Sequence, residues 1–290
     1  MILLAFIIAG ALAALPAQSP KRITILYDAF GARAQQLEMD WGFAALIEYG
    51  GRRVLFDTGN NARIFEHNVE RLGVDLRNLD AVIISHRHGD HTSGLNYLLQ
   101  VNPAIKIYTP VEGAFFNGTI PLAFFARDAA LPPEMKYFGG HDPVSVVSGT
   151  PWEKAHFEAI GKTTEILPGF FVITTKSAKP GTNEMNEISL AVRTGQGLAV
   201  IVGCSHPGVE KVLENATSLD TRLYTVTGGF HLVQTPRPEI ERVAAVLHDE
   251  LKVQRVAPGH CTSEAGFAAF MDRFGEQFDR GGLGAVIPLP

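Results

Sequence analysis

The sequence predicts an α/β protein in which two mixed β-sheets pack together with helices outside. Three observations point there. Short apolar or alternating strand patterns dominate both ends of the chain. Strand–loop–helix units close each half. The 290 residues are 46% hydrophobic and 19% charged, enough for one large domain with a sizeable core and unlike a disordered chain.

The first half opens with strand patterns at 23–27 (ITILY), 43–48 (FAALIE) and 53–56 (RVLF), the last two joined by a Gly50-Gly51 turn. Residues 81–84 (AVII) form a short, β-branched, fully apolar run, the mark of a strand buried on both faces. A helix is expected over 92–101, with Leu95, Leu98 and Leu99 on one face, ended by Asn102-Pro103. A strand follows at 105–108. Residues 111–168 are broken by Pro121, Pro132, Pro133, Gly139, Gly140, Pro143 and Pro151. This stretch reads as an irregular insert or lid, too broken to bury a core of its own.

Regular patterns return at 170–174, 188–193 and 198–202, then a helix at 208–216 and a strand at 223–227. A helix over 238–251 carries Ile240, Val243, Leu247 and Leu251 at helical spacing, and a strand over 253–257 leads into Pro258-Gly259-His260. The last helix starts at Ser263, with Phe267, Phe270, Met271, Phe274 and Phe278 expected as a core stripe.

Residues 2–15 (ILLAFIIAGALAAL) are almost continuously apolar, yet shorter than the roughly 20 residues of a membrane span. With the small residues near Ala14 and Ala17, residues 1–17 read as a signal peptide, leaving a mature domain over 18–290. The expected compartment is periplasmic or extracellular. No Lys or Arg precedes the run, and Lys21 and Arg22 follow it, so an uncleaved N-terminal anchor and a cytoplasmic location are the alternatives. A net charge of −5 and a pI of about 6.1 give no footprint for nucleic acid, which leaves a small molecule as the expected partner. Two cysteines, Cys204 and Cys261, exclude a disulfide-stapled scaffold.

The chemistry concentrates directly after the buried strand, in Ser85-His86-Arg87-His88-Gly89-Asp90-His91. Extended backbone points His86 and His88 to one side, because side chains repeat every two residues. Gly89 lets the chain turn, so that Asp90 and His91 reach a second position nearby. Imidazoles and a carboxylate suit zinc and other borderline divalent ions. One ion would be held by His86 and His88, and a second by Asp90 and His91.

This H-x-H-x-D-H pattern resembles the hallmark of the metallo-β-lactamase superfamily of metal-dependent hydrolases, and the resemblance runs from about residue 22 to the end. It implies that superfamily's αβ/βα sandwich. Phe56-Asp57-Thr58-Gly59 resembles the superfamily's D-T-G segment, which implies that Asp57 supports the ligand loop from behind. Gly203-Cys204-Ser205-His206, Gly228-Gly229-Phe230-His231-Leu232, Pro258-Gly259-His260-Cys261-Thr262 and Trp41-Gly42-Phe43 resemble one branch, the 7,8-dihydropterin-6-yl-methyl-aminobenzene ribofuranosyl phosphate synthase-like proteins. His260 matches the superfamily's final metal histidine. Two departures stand out. The usual third histidine has no counterpart around 175–188, and Cys204 stands where the bridging aspartate falls. His206, two residues on, is the expected replacement ligand, and Cys204 is expected beside the centre without ligating.

The resemblance implies one or two divalent ions, zinc first and manganese or iron as alternatives. It implies a hydrolase that uses a metal-activated hydroxide on an ester, lactone, amide or phosphoester. Asp90 would orient an ion and take a proton, and His231 would donate one to the leaving group. Two alternatives stand beside it: a pterin-linked transferase of the synthase type, and a metal-binding protein without catalysis.

Overall fold

The computed structural model describes residues 19–31, 36–116, 119–120, 129–141, 143, 146–147, 150–177 and 185–290. The apolar run at 2–15 lies outside these. Among the described residues, no helix is long and apolar enough to cross a membrane.

The first half contributes β1 (Arg22–Tyr27), β2 (Ala44–Tyr49), β3 (Arg52–Phe56), α1 (Ala62–Arg71), β4 (Ala81–Ile83), α2 (Gly89–Thr92), α3 (Leu95–Val101), β5 (Lys106–Pro110) and α4 (Gly113–Phe116). A two-residue ladder, β6 (Thr119–Ile120) with β7 (Val146–Val147), stands apart from the main sheets. Then come β8 (His156–Ile160), β9 (Thr164–Leu167), β10 (Phe170–Lys176), β11 (Asn186–Thr194), β12 (Gly197–Val202), α5 (Val209–Ala216), β13 (Leu223–Gly229), α6 (Arg237–Ala245), β14 (Arg255–Gly259), α7 (Glu264–Phe274) and β15 (Val286–Pro288).

Two mixed sheets result, in the orders β15-β1-β2-β3-β4-β5-β8 and β14-β13-β12-β11-β10-β9. Period-two alternation builds the layers. In β3 and β4, Val54, Phe56, Ala81 and Ile83 face the other sheet, where they meet Val172, Ile188, Leu190 and Ile201. Leu55 and Val82 point the opposite way, onto Phe65 of α1 and Leu95 and Leu98 of α3. On the far side, Val200, Val202 and Val226 pack on Val212, Ile240, Val243 and Phe270 of the outer helices. Each such large aliphatic or aromatic side chain contributes roughly 1.5–3 kcal/mol by leaving water. β12 is buried along its whole length, and so it reads as an unbroken apolar run.

Several boundaries differ from those expected. The irregular stretch ends near 155 and not at 168, because β8 extends the first sheet beside β5 and β9 pairs with β10. β8 is an edge strand with mostly exposed side chains, so His-Phe-Glu-Ala-Ile shows no apolar run. The helix expected over 92–101 is split at Ser93-Gly94. Gly94 lies so close to the Thr58 carbonyl that a Cβ would sit 2.1 Å from it. The helix at 238–251 closes in a π turn at 246–250, where the Leu251 N–H bonds the Val246 carbonyl. Val253 bonds back to Leu247, which delays β14 to residue 255. Met271 is not in the core: it is 47% exposed, whereas Phe270 and Phe274 are buried.

Candidate metal centre

Parallel strands deliver the loops of the site to one end of the sandwich. β3, β4 and β5 run parallel in the first sheet, and β12, β13 and β14 in the second. Strand ends of this kind are where such folds collect polar side chains.

Asp57, at the end of β3, organises the first ligand loop. Its carboxylate accepts the Ser85 N–H (2.7 Å) and the Ser85 hydroxyl (2.7 Å), and it lies 2.7 Å from His91 Nδ1. The serine hydroxyl proton goes to Asp57, so His86 Nδ1 donates to Ser85 Oγ (2.9 Å). In the neutral form of each ring, Nδ1 thereby carries the proton and Nε2 the lone pair. The one-turn helix α2 swings Asp90 and His91 round, and the Thr58 N–H and hydroxyl grip the His91 carbonyl. His86 Nε2 lies 3.1 Å from His88 Nδ1.

The second half supplies the complement. Gly203 ends β12 against the first loop, with no room for a side chain: a Cβ would meet Ser85 Oγ at 2.1 Å. Ser205 adopts a left-handed φ of 60° and turns the loop. Glu187 of β11, buried beneath it, accepts the N–H groups of Cys204 (3.1 Å), Ser205 (2.8 Å) and His206 (2.9 Å), and lies 3.2 Å from His206 Nδ1. Gly228 approaches Val202 so closely that a Cβ would lie 1.9 Å from its carbonyl, and His231 follows at φ 50°. The His231 ring stands 4.3 Å from that of His206. After β14, His260 sits at φ 46° with its N–H bonded to the Asp28 carboxylate (3.1 Å) and Nε2 3.3 Å from Asp90 Oδ2. Several non-glycine residues in left-handed conformations at one place are the strain expected of a functional site.

Two triads of ligand atoms emerge. His86, His88 and His206 form one, and Asp90, His91 and His260 the other, each with its atoms within 4.8 Å of one another. The Cys204 thiol lies between them, in groups with His86 and His91 and with His206 and His231, its Sγ 3.3 Å from His91 Nε2. Cys261 lies below, grouped with Cys204 and His260. Both thiols are free.

The electrostatics suit cations. Burial, then the charges of its neighbouring histidines, push His86 well below its ordinary pKa. Burial and His206 bring His88 down to about 4. Both are therefore neutral imidazoles near pH 7, the form a metal requires. Burial opposes ionisation of Asp90, but the hydrogen bond and charge of His260, with His91, hold its carboxyl well below the usual range. Burial also disfavours charge on His91, yet Asp57 on its Nδ1 side and Asp90 on its Nε2 side push it up to about 9, so an ion bound at Nε2 would displace a proton from it. His260 Nδ1 is buried without a hydrogen-bond partner. Converging imidazole, carboxylate and thiol groups of this kind fit divalent metal ions.

Every residue expected at the site from the sequence stands in this cluster or directly behind it. Cys204 differs from the expectation in one respect: its sulfur lies among the ligand atoms and not behind them. Glu187 and Asp28 carry no motif and were not expected, and Ser85 opens the histidine segment without an expected role. Glu187 stands within a strand and acts on backbone N–H groups. Asp28 joins His260 from the opposite end of the chain. Burial pushes Asp28 up to about 8, against the N–H groups of His260 and Ala29.

Comparison with known proteins agrees with the fold. Residues 42–172 match the Metallo-beta-lactamase superfamily. The chain is 29% identical over 260 residues to the 7,8-dihydropterin-6-methyl-4-(beta-D-ribofuranosyl)-aminobenzene-5'-phosphate synthase of Methanocaldococcus jannaschii, covering 84% of this chain and 88% of that protein. Among solved structures it is similar to Tm1679, a metal-dependent hydrolase of the beta-lactamase superfamily. The TM-score is 0.69 at 27% identity, covering 92% of this chain and 98% of that one. The metallo-beta-lactamase fold protein YhfI from Bacillus subtilis shares the fold, with a TM-score of 0.55 at 14% identity and coverage of 92% and 99%. The ligand loops lie at the strand ends of a two-sheet sandwich shared with these solved structures, and residues 42–172 carry a metallo-beta-lactamase superfamily domain.

Proposed function

We propose that this protein is a metal-dependent hydrolase of small molecules bearing an ester, lactone, amide or phosphoester bond, with zinc as the first candidate metal. The observation that carries this is the meeting of two ligand triads, each drawn from both halves of the sandwich. Divalent ions held there supply Lewis acidity and hydroxide at neutral pH. The chain's own groups do the rest. Asp57 and Glu187 hold the Nδ1 sides of His91 and His206, so that both imidazoles present Nε2 to the centre. Asp90, ionised and part-exposed, orients one ion and is placed to take a proton. His231, leaning on His206, is placed to give one to the leaving group.

The similarity to the archaeal synthase favours a second reading, a transfer reaction on a pterin-linked substrate. The test is elemental analysis of purified protein together with a panel of ester, lactone, amide and phosphodiester substrates. Turnover of the panel by metal-loaded protein supports the hydrolase. Transfer to a pterin acceptor without turnover of the panel replaces it with the synthase reading. Full metal content without either activity points to a metal-binding protein without catalysis. We extend the proposal to an exported protein, on the apolar run at 2–15. N-terminal sequencing from the native host is expected to begin near Gln18, and recovery of intact Met1 would reverse it.

A further inference from the structure

We propose that Trp41 is a fixed stacking platform at the rim of the metal centre, and that the site takes substrates with a planar aryl or heteroaryl group. The inference deepens the metal-dependent hydrolase reading and rests on it.

The Trp41 ring lies 4.9 Å, centroid to centroid, from that of His260, tilted by 50°, while 46% of the residue stays open to solvent. A single exposed aromatic residue is ordinary. One leaning on a histidine of the ligand cluster is not, because its free surface borders the place where substrate must approach. The residues on either side are fastened. Asp40 receives the Tyr27 hydroxyl. The Phe43 N–H bonds the carbonyl of Asp90 itself (3.2 Å), and the Phe43 carbonyl takes the Gly59 N–H (3.0 Å). Gly42 adopts φ +147°, and a Cβ there would lie 2.6 Å from the Asp90 carbonyl, so the turn presses directly on the ligand loop. A side chain carried on a fastened turn and resting on His260 has less freedom to lose when a ligand stacks on it. Asp90 and the exposed His88 leave the centre open to solvent on its outer side, next to the turn that carries Trp41.

The competing role for Trp41 is to shield His260 from water and nothing more. The two roles separate with a matched pair of probes, 2-naphthoate and decahydro-2-naphthoate. Each offers one carboxylate to the ions, but only the first has a flat π face. Metal-loaded wild-type protein is expected to bind naphthoate more tightly. Trp41→Ala should weaken naphthoate binding about three- to tenfold more than it weakens binding of the saturated probe, the range of one aromatic contact beyond apolar burial. Trp41→Phe should keep most of the preference. Metal content is measured on every variant. Wild-type protein with full metal that shows no preference for the flat probe overturns the platform alone, as does an equal loss for both probes in Trp41→Ala. Loss of metal from Trp41→Ala assigns the residue to shielding. Wild-type protein that takes up no metal overturns the hydrolase reading and the platform with it.

Discussion

Glu187 holds His206 twice through one oxygen: Oε2 accepts the His206 N–H at 2.9 Å and lies 3.2 Å from its Nδ1. The other oxygen holds the two preceding N–H groups. One buried carboxylate thus sets both the path of the loop and the orientation of the imidazole. Burial opposes its charge, but the hydrogen bond and charge of His206 hold its pKa below the usual value. Glu187→Gln places an amide NH2 where an acceptor is needed. Metal affinity should fall by about 10- to 100-fold, the usual cost of losing a partner behind a ligand histidine. Titration calorimetry with zinc checks it, alongside circular dichroism to show a retained fold.

His88→Ala should abolish hydrolysis and remove about one ion per chain while leaving the fold intact. His88 is exposed on the ligand loop, so truncation opens no core cavity. Elemental analysis and a thermal melt are the measurements. An active variant with full metal content would remove the hypothesis.

His206→Ala is expected to lose the ion shared with His86 and His88, whereas Cys204→Ser should retain both ions. The Cys204 thiol lies equally near the centre, and burial followed by the neighbouring Cys261 pushes its pKa well up, which disfavours the thiolate in the metal-free protein. The comparison is metal stoichiometry and turnover on both variants. A serine variant that loses an ion beside an alanine variant that keeps two would assign the bridging role to the cysteine.

Gly203→Ala should destabilise the protein by about 1–3 kcal/mol, the cost of overpacking a filled space, and should lower metal affinity as well. The added methyl would lie 2.1 Å from Ser85 Oγ and 3.1 Å from Asp57 Oδ2. Relief requires moving the residues that orient His86 and His91. Denaturant midpoints and zinc titration on the same sample test both effects. A variant with wild-type values in each would show that the two loops are not in such close contact.

The order and type of the buried strands were legible because period-two and continuous apolar patterns are local. The His86–His91 cluster was legible for the same reason, since six consecutive residues carry it. Helix α1 was missed, although Asn61 caps it and Phe65 and Val69 are four apart on its buried face. Its interleaved charges hid the period. β15 is a three-residue edge strand ending in proline, too short to show a pattern. Glu187 and Asp28 escaped because their partners are backbone N–H groups brought near only by folding. No spacing in the chain encodes such a contact, whereas Asp57 was found through the segment around it.

Each ligand triad draws from both sheets: His86 and His88 with His206, and Asp90 and His91 with His260. Ions seated there would act as two rivets through the sandwich, joining residues far apart along the chain. A riveted protein resists shearing of one sheet over the other, and a metal-free one loses that resistance first at the open end. Metal uptake would then report on docking of the halves during folding, because neither triad exists until both sheets have met.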